Sequence, residues 1–296
     1  MNRMQAQMCQ SLTASARKAT RWAAILGLLV ALPAVASPAQ PSSQLRPRPP
    51  EPLTEARRLY NEGRFDDSLA IARAAADVPN TRPGALLLVG RAALERYRLT
   101  GEQPDLDLAR ESLRTVDASR LDPRERVEFA IGLGEALFFE QAHGAAAEMF
   151  QGILDHEAAF GSGSRDRLLD WWAGAMDRLA QAKPAAERGT LYDSLVARMV
   201  QELRRDLTLA APNYWIPAAL LAKGDADAAW DAAMAGWLRA QMAAWGASET
   251  RADIDVLVQQ AIVPERARKV GRTDADAEAA ATALLADWAT FKDRWR

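Results

Sequence analysis

The chain has 296 residues, with 37 Lys plus Arg against 39 Asp plus Glu, 49% hydrophobic side chains and 26% charged ones. That is the balance of a globular protein with a core, not of a disordered, collagenous or multi-span membrane chain. One cysteine and two histidines are too few for a disulfide framework, a zinc site or a Cys–His nucleophile.

Residues 1–36 read as a secretory leader. Arg3, Arg17, Lys18 and Arg21 give a positive start, Trp22 to Leu32 is apolar, and Ala34-Val35-Ala36 is the small-x-small pattern that signal peptidase accepts. Cleavage is expected after Ala36 by a Sec-type route, placing the product in the periplasm or outside the cell. The apolar run, broken by Pro33, falls short of the ~20 residues of a spanning helix, so no membrane span is expected after processing. Processing removes four basic residues and no acids, leaving 33 against 39, a net charge of about −6. Such a chain lacks the basic field of a nucleic-acid binder. Ser37 to Pro52, SPAQPSSQLRPRPPEP, carries six prolines and is expected to form an extended, semi-rigid linker over 37–52.

From residue 53 onward apolar and small residues recur at helical spacing, without strand-like alternation, which predicts an all-α protein. A repeated register runs over 53–160. The first copy has Ala56 and Leu59, Gly63-Arg64-Phe65 at a turn, then Ser68, Ala72, Ala75 and Pro79. The second has Leu86, Val89-Gly90 and Ala93, then Ala109, Leu113 and Val116, with about seven extra residues between its helices around Thr100 to Pro104. The third has Leu133-Gly134 and Leu137, then Ala146, Phe150 and Ile153. Ala56 and Gly90 are 34 residues apart. Small residues at these positions let paired helices approach to ~8–10 Å.

Beyond Gly161-Ser162-Gly163-Ser164, a hinge with Ser164 as helix cap, the region 165–296 is expected to be helical and Trp-rich. Helices are predicted over 165–181 and 185–205, then a looser hairpin over 212–238 with Leu220, Gly224-Asp225, Ala229, Ala233 and Gly236, and Pro217 inside its first helix. A last helix begins at Thr273 with Asp276 as capping-box partner. Its stripe of Ala277, Ala281, Leu284, Trp288, Phe291 and Trp295, with charged residues elsewhere, suits a terminal cap. All eight tryptophans after the leader lie beyond residue 170. They are fillers between Ala-rich helices or a ligand surface. Trp171 and Trp172 point about 100° apart, so at least one is expected at a core edge or in a groove.

Chemistry-bearing motifs are few. Asp155-His156-Glu157 lacks the second His of a zinc protease helix, Phe160 standing in its place, and no nucleophile elbow, phosphate loop or dinucleotide fingerprint appears. No metal, cofactor or catalytic residue is expected. The acidic pairs Asp66-Asp67, Asp225 with Asp227, and Asp274 with Asp276 fall at helix starts, where the dipole favours them.

The three registers resemble the tetratricopeptide signature W-x2-L-G-x2-Y, A-x3-F, with Ala130 and Leu137 where the family has Trp and Tyr. The resemblance implies a right-handed superhelix of helical hairpins, an α-solenoid with a capping C-terminal helix, whose first helices line a concave groove for peptides or proteins. Aligning Ala56, Gly90 and Gly134 puts Arg57, Arg91 and Glu135 next on the first helices, with Tyr60, Leu94 and Phe138 three residues on and Asn61, Glu95 and Phe139 beside them. The groove would start basic and become aromatic. The expected function is a noncatalytic scaffold binding a peptide or protein partner in the cell envelope. The alternative is a carboxylate-type envelope enzyme acting on cell-wall glycan.

Overall fold

A computed structural model describes residues 51–156, 162–243 and 246–295. The expected leader, most of the Pro-rich linker and Trp245 lie outside the described residues. Those described are helical with no strand, and none of their helices is long and apolar enough to cross a membrane. The chain divides into two compact units, one ending at Gly132 and the other beginning at Leu133. That division falls inside the first helix of the third register.

The N-terminal unit holds α1 (Pro52–Asn61), α2 (Phe65–Ala75), α3 (Arg82–Thr100), α4 (Gln103–Arg114) and the start of α5 (Pro123–Phe139). Pro52, expected to end the linker, opens α1 instead, at a position where a missing N–H costs nothing. Ala56, Leu69, Ala72, Leu88, Val89 and Ala92 make one core cluster, and the buried Ser68 hydroxyl donates to the Ala56 carbonyl at 2.8 Å. The second hairpin departs from expectation. Its extra residues do not loop out but lengthen α3, which runs to Thr100 and stops at Gly101 with φ +74°. Gly90 explains the close pairing of α3 with α4, since a Cβ there would stand 2.7 Å from Leu113 Cγ.

The C-terminal unit continues with α6 (His143–Asp155), α7 (Ser162–Gln181), α8 (Ala185–Arg205), α9 (Ala211–Ala222), α10 (Ala226–Arg239), α11 (Ala247–Leu257), α12 (Val263–Val270) and α13 (Asp274–Arg294). Ser164 lies inside the first turn of α7 and is not its cap; Gly and Ser are tolerated there because first-turn amides have no intrahelical acceptor to lose. Between α11 and α12 the backbone widens to a π turn over Val258–Ile262, just ahead of Pro264, whose ring would clash with the carbonyl of a regular helix. In α9, Pro217 leaves the Asn213 carbonyl without its usual helical donor. Gly236 of α10 packs directly on that carbonyl, where a Cβ would sit 2.5 Å from the oxygen.

One turn recurs in both units. Arg64 N–H donates to Leu59 O and Gly63 N–H to Tyr60 O; Ala142 repeats this to Leu137 and Gln141 to Phe138, then Asp225 to Leu220 and Gly224 to Leu221. Each is a Schellman stop, with Gly63, Gln141 and Gly224 at positive φ. Gln141 carries the conformation without being glycine.

The tryptophans are largely core. Trp230, Trp237, Trp288 and Phe291 pack with Ile254, Val258, Ile262 and Val263, Trp288 stacking on Phe291 at 5.3 Å. Trp288 Nε1 donates to Asp255 at 2.9 Å. The capping box at Thr273 and Asp276 forms in both directions. The stripe of α13 ends at Phe291, because Trp295 follows the last helical turn and is exposed. Its outward face is not charged throughout but rich in alanine, with Leu285 exposed.

Candidate functional site

The N-terminal unit uses its predicted groove residues on one another. Arg57 forms an ion pair with Glu125, which also closes the capping box of α5 by accepting from Asp122 N–H at 3.0 Å. Arg91 donates to the Tyr60 hydroxyl at 3.2 Å and to the Glu128 carbonyl at 3.1 Å, its guanidinium 5.9 Å from the Tyr60 ring centre. Glu95 pairs with Arg98 one turn along the same helix, and Asn61 is exposed at the end of α1. Arg57, Tyr60 and Arg91 thus lie on neighbouring helices, with an internal carboxylate already held by Arg57.

In the C-terminal unit Glu135 is buried, while Phe138 and Phe139 are half-buried. Both phenyl rings meet Trp171 edge-on, at 5.1 and 5.6 Å, and Phe138 also packs against His143 at 5.1 Å. Burial among these rings, with the Arg178 charge adding, lowers the His143 pKa. Trp172, the neighbour of Trp171, is fully in the core.

Four residues outside the aligned set adjoin these rings: Asp166, Asp170, Gly174 and the largely buried Trp215, which is 9% exposed. Trp215 Nε1 donates to Asp170 at 2.7 Å, and its benzo edge faces Gly174 one turn along α7. Asp170 is exposed, yet desolvation raises its pKa against the opposing Trp215 bond. Asp166 accepts from Ala211 N–H at 2.8 Å at the start of α9. Desolvation pushes it up to about 6, with the charges of Asp170 and Asp206 adding and the backbone donors opposing. Among the described residues no cation is paired with Asp166 or Asp170. The signals in the sequence were Asp170 beside the Trp pair and a glycine inside a helix; neither belongs to the repeat pattern, so the alignment passed over them.

No group of three or more metal-ligating side chains occurs among the described residues. No family model, curated protein or solved structure matches the chain, so the tetratricopeptide resemblance rests on the sequence registers.

Proposed function

We propose that the chain is an exported, noncatalytic scaffold, a right-handed superhelix of tetratricopeptide-like hairpins that holds a peptide or protein partner in the cell envelope. The observation that carries this reading is the hairpin grammar. A small residue of a first helix meets a larger or polar residue of the second, Ala56 with Ser68, Gly90 with Leu113 and Gly134 with Phe150, and the same Schellman stop closes the first, third and fifth hairpins. In repeats of this kind the second helices shield one face and leave the first helices for a ligand. The aromatic surface of α5, α7 and α9 lies on first helices.

The test is cross-linking in cells from a photoreactive residue in place of Phe139, with Ala197 on second helix α8 as the control position. A partner captured from Phe139 and absent from Ala197 is expected. Capture from neither, or equally from both, would sink the reading. Intact mass of the exported form should show a chain beginning at Ser37.

One observation favours the alternative of a carboxylate enzyme acting on cell-wall glycan: Asp170 is an exposed acid beside Trp215 and Trp171. A glycosidase needs a second carboxylate across the scissile bond, and Asp166, the neighbouring acid, caps α9. Glycan hydrolysis abolished by Asp170→Asn would establish the enzyme.

A further inference from the structure

We infer that the notch over Gly174 receives the side chain of a lysine or arginine from the bound partner, its methylenes lying between Phe138 and Trp215 and its cationic head on Asp170. This rests on the protein-binding reading above and names the chemistry of the ligand.

The first observation is Gly174 itself. A glycine inside a helix destabilises it relative to alanine, and at three other positions of this chain the packing accounts for it. A Cβ at Gly90, Gly134 or Gly236 would stand 2.7, 2.5 or 2.5 Å from a neighbouring atom. A Cβ at Gly174 would meet only Phe138 Cε2 at 3.8 Å and Trp215 Cζ2 at 4.0 Å, ordinary van der Waals contact. Helix packing does not require this glycine. Gly152 and Gly189 also have free space above them, but Gly174 alone of the three has an aromatic edge on either side. A methylene chain laid there touches both rings.

The second observation is charge. Asp170 lies one helical turn from Gly174 on the same face and is exposed. Among the described residues its hydrogen-bond partner is the neutral indole N–H of Trp215, which fixes the carboxylate and leaves its other lone pairs open. Asp166 adds negative potential from the preceding turn. A guanidinium or ammonium at Asp170 would gain a charge-assisted hydrogen bond and lie beside the rings of Trp215 and Trp171, whose faces attract cations. An anionic ligand would meet two uncompensated carboxylates, and a purely apolar one would leave Asp170 poorly solvated.

The experiment uses the whole exported chain and the peptides acetyl-Ala-Ala-X-Ala-Ala-amide, with X as Lys, Arg, norleucine or Glu. Binding is read from the indole N–H resonance of Trp215, identified by its loss in Trp215→Phe. The Lys and Arg peptides should bind at least tenfold more tightly than the norleucine and Glu peptides. Asp170→Asn should bring Lys and norleucine within twofold of each other. Gly174→Leu should weaken the Lys peptide at least tenfold, while Gly174→Ala melts no lower than the parent chain. Equal binding of Lys and norleucine peptides would overturn the cation assignment while the cross-linking result from Phe139 still decides the scaffold reading. A Gly174→Ala chain that melts lower would make the glycine structural and overturn the notch assignment. A trimer of N-acetylglucosamine that moves the Trp215 resonance more tightly than any peptide would assign the notch to a sugar instead.

Discussion

The two units share one hairpin grammar and fill it differently. In the N-terminal unit the core is Ala, Leu and Val without a tryptophan, and the arginines of α1 and α3 are engaged internally, Arg57 by Glu125 and Arg91 by Tyr60 and Glu128, although Arg91 Nε is buried without a hydrogen bond. In the C-terminal unit indoles fill the core, and the first-helix acids Asp166 and Asp170 pair with no cation among the described residues. Paired charges close a surface, whereas compensated packing beside uncompensated acid leaves one able to receive a ligand. On the proposed scaffold reading the recognition chemistry is concentrated in the second unit, although the aligned basic residues lie in the first.

The largest effect expected concerns how the second unit is sealed. Trp288 and Phe291 of α13 cover Trp230 and Trp237, and truncating a single such ring to alanine costs about 3–5 kcal/mol. Deleting residues 273–296 removes both and should abolish the cooperative melt of the second unit, read by calorimetry and by aggregation on heating. An unchanged melt would mean that α13 serves a partner. Close behind comes Glu202, fully buried and held by Arg165 at 2.7 Å and Arg198 at 2.8 Å. Removing one partner of a buried ion cluster leaves the others uncompensated, so Glu202→Ala should lose about 3–5 kcal/mol in urea unfolding.

A smaller loss follows from filling a glycine that packing does require. Gly236→Ala would force a methyl against the Asn213 carbonyl, a backbone atom that cannot swing away. Overpacking of this kind costs about 1–3 kcal/mol. Set beside Gly174→Ala it gives opposite signs for one substitution in one unit, which separates a packing glycine from a notch.

The second unit also holds acids of opposite pH behaviour. Glu202 has its pKa lowered by the arginines despite burial, so its stabilisation is present above its ordinary 4.5 and is lost as pH falls through the lowered folded value. Asp166 is raised to about 6. Between its ordinary ~3.9 and that value the folded chain binds more protons than the unfolded one, so stability falls as pH rises through the window and stays reduced above it. Asp166→Asn keeps an oxygen for the Ala211 N–H and removes the charge. It should gain about 1–2 kcal/mol at pH 7.5, less than full burial would give because water reaches the group, and nothing at pH 3.5. A gain equal at both pH values would show that charge is not the cause.

Much of this architecture was legible in the sequence because helix packing is a local code. Ala56, Gly90 and Gly134 mark the crossings, Gly63 and Gly224 mark the stops, and Thr273 with Asp276 marks the last helix start. Gln141 hid its turn because a non-glycine at positive φ leaves no compositional trace. The extension of α3 was invisible for a related reason: Thr100 to Pro104 reads as a breaker, and nothing local says that the helix runs through to Gly101. The site was less legible still. Phe138 and Phe139 were found by register, but Asp170 and Trp215 are 45 residues apart and meet only through the packing of α9 on α7. The internal use of Arg57 likewise depends on Glu125, 68 residues away.

The smallest effect tests the comparison at its other end. The Arg57–Glu125 pair has a partly exposed guanidinium, with 37% of the side chain accessible, and surface pairs of this kind contribute about 0–1 kcal/mol. A double-mutant cycle of Arg57→Ala and Glu125→Ala should give a coupling in that range, shrinking in salt. Glu125 loses its capping-box role in the second variant, so the coupling, and not either single loss, measures the pair. If the pair is closed as the first unit's other polar groups are, Arg57→Ala with Arg91→Ala should leave partner capture from Phe139 intact. Capture abolished by that double substitution, with the melting temperature nearly unchanged, would mean that the arginines exchange Glu125 and Tyr60 for a ligand carboxylate. The recognition surface would then begin in the first unit, and the contrast between the units would be one of resting state and not of role.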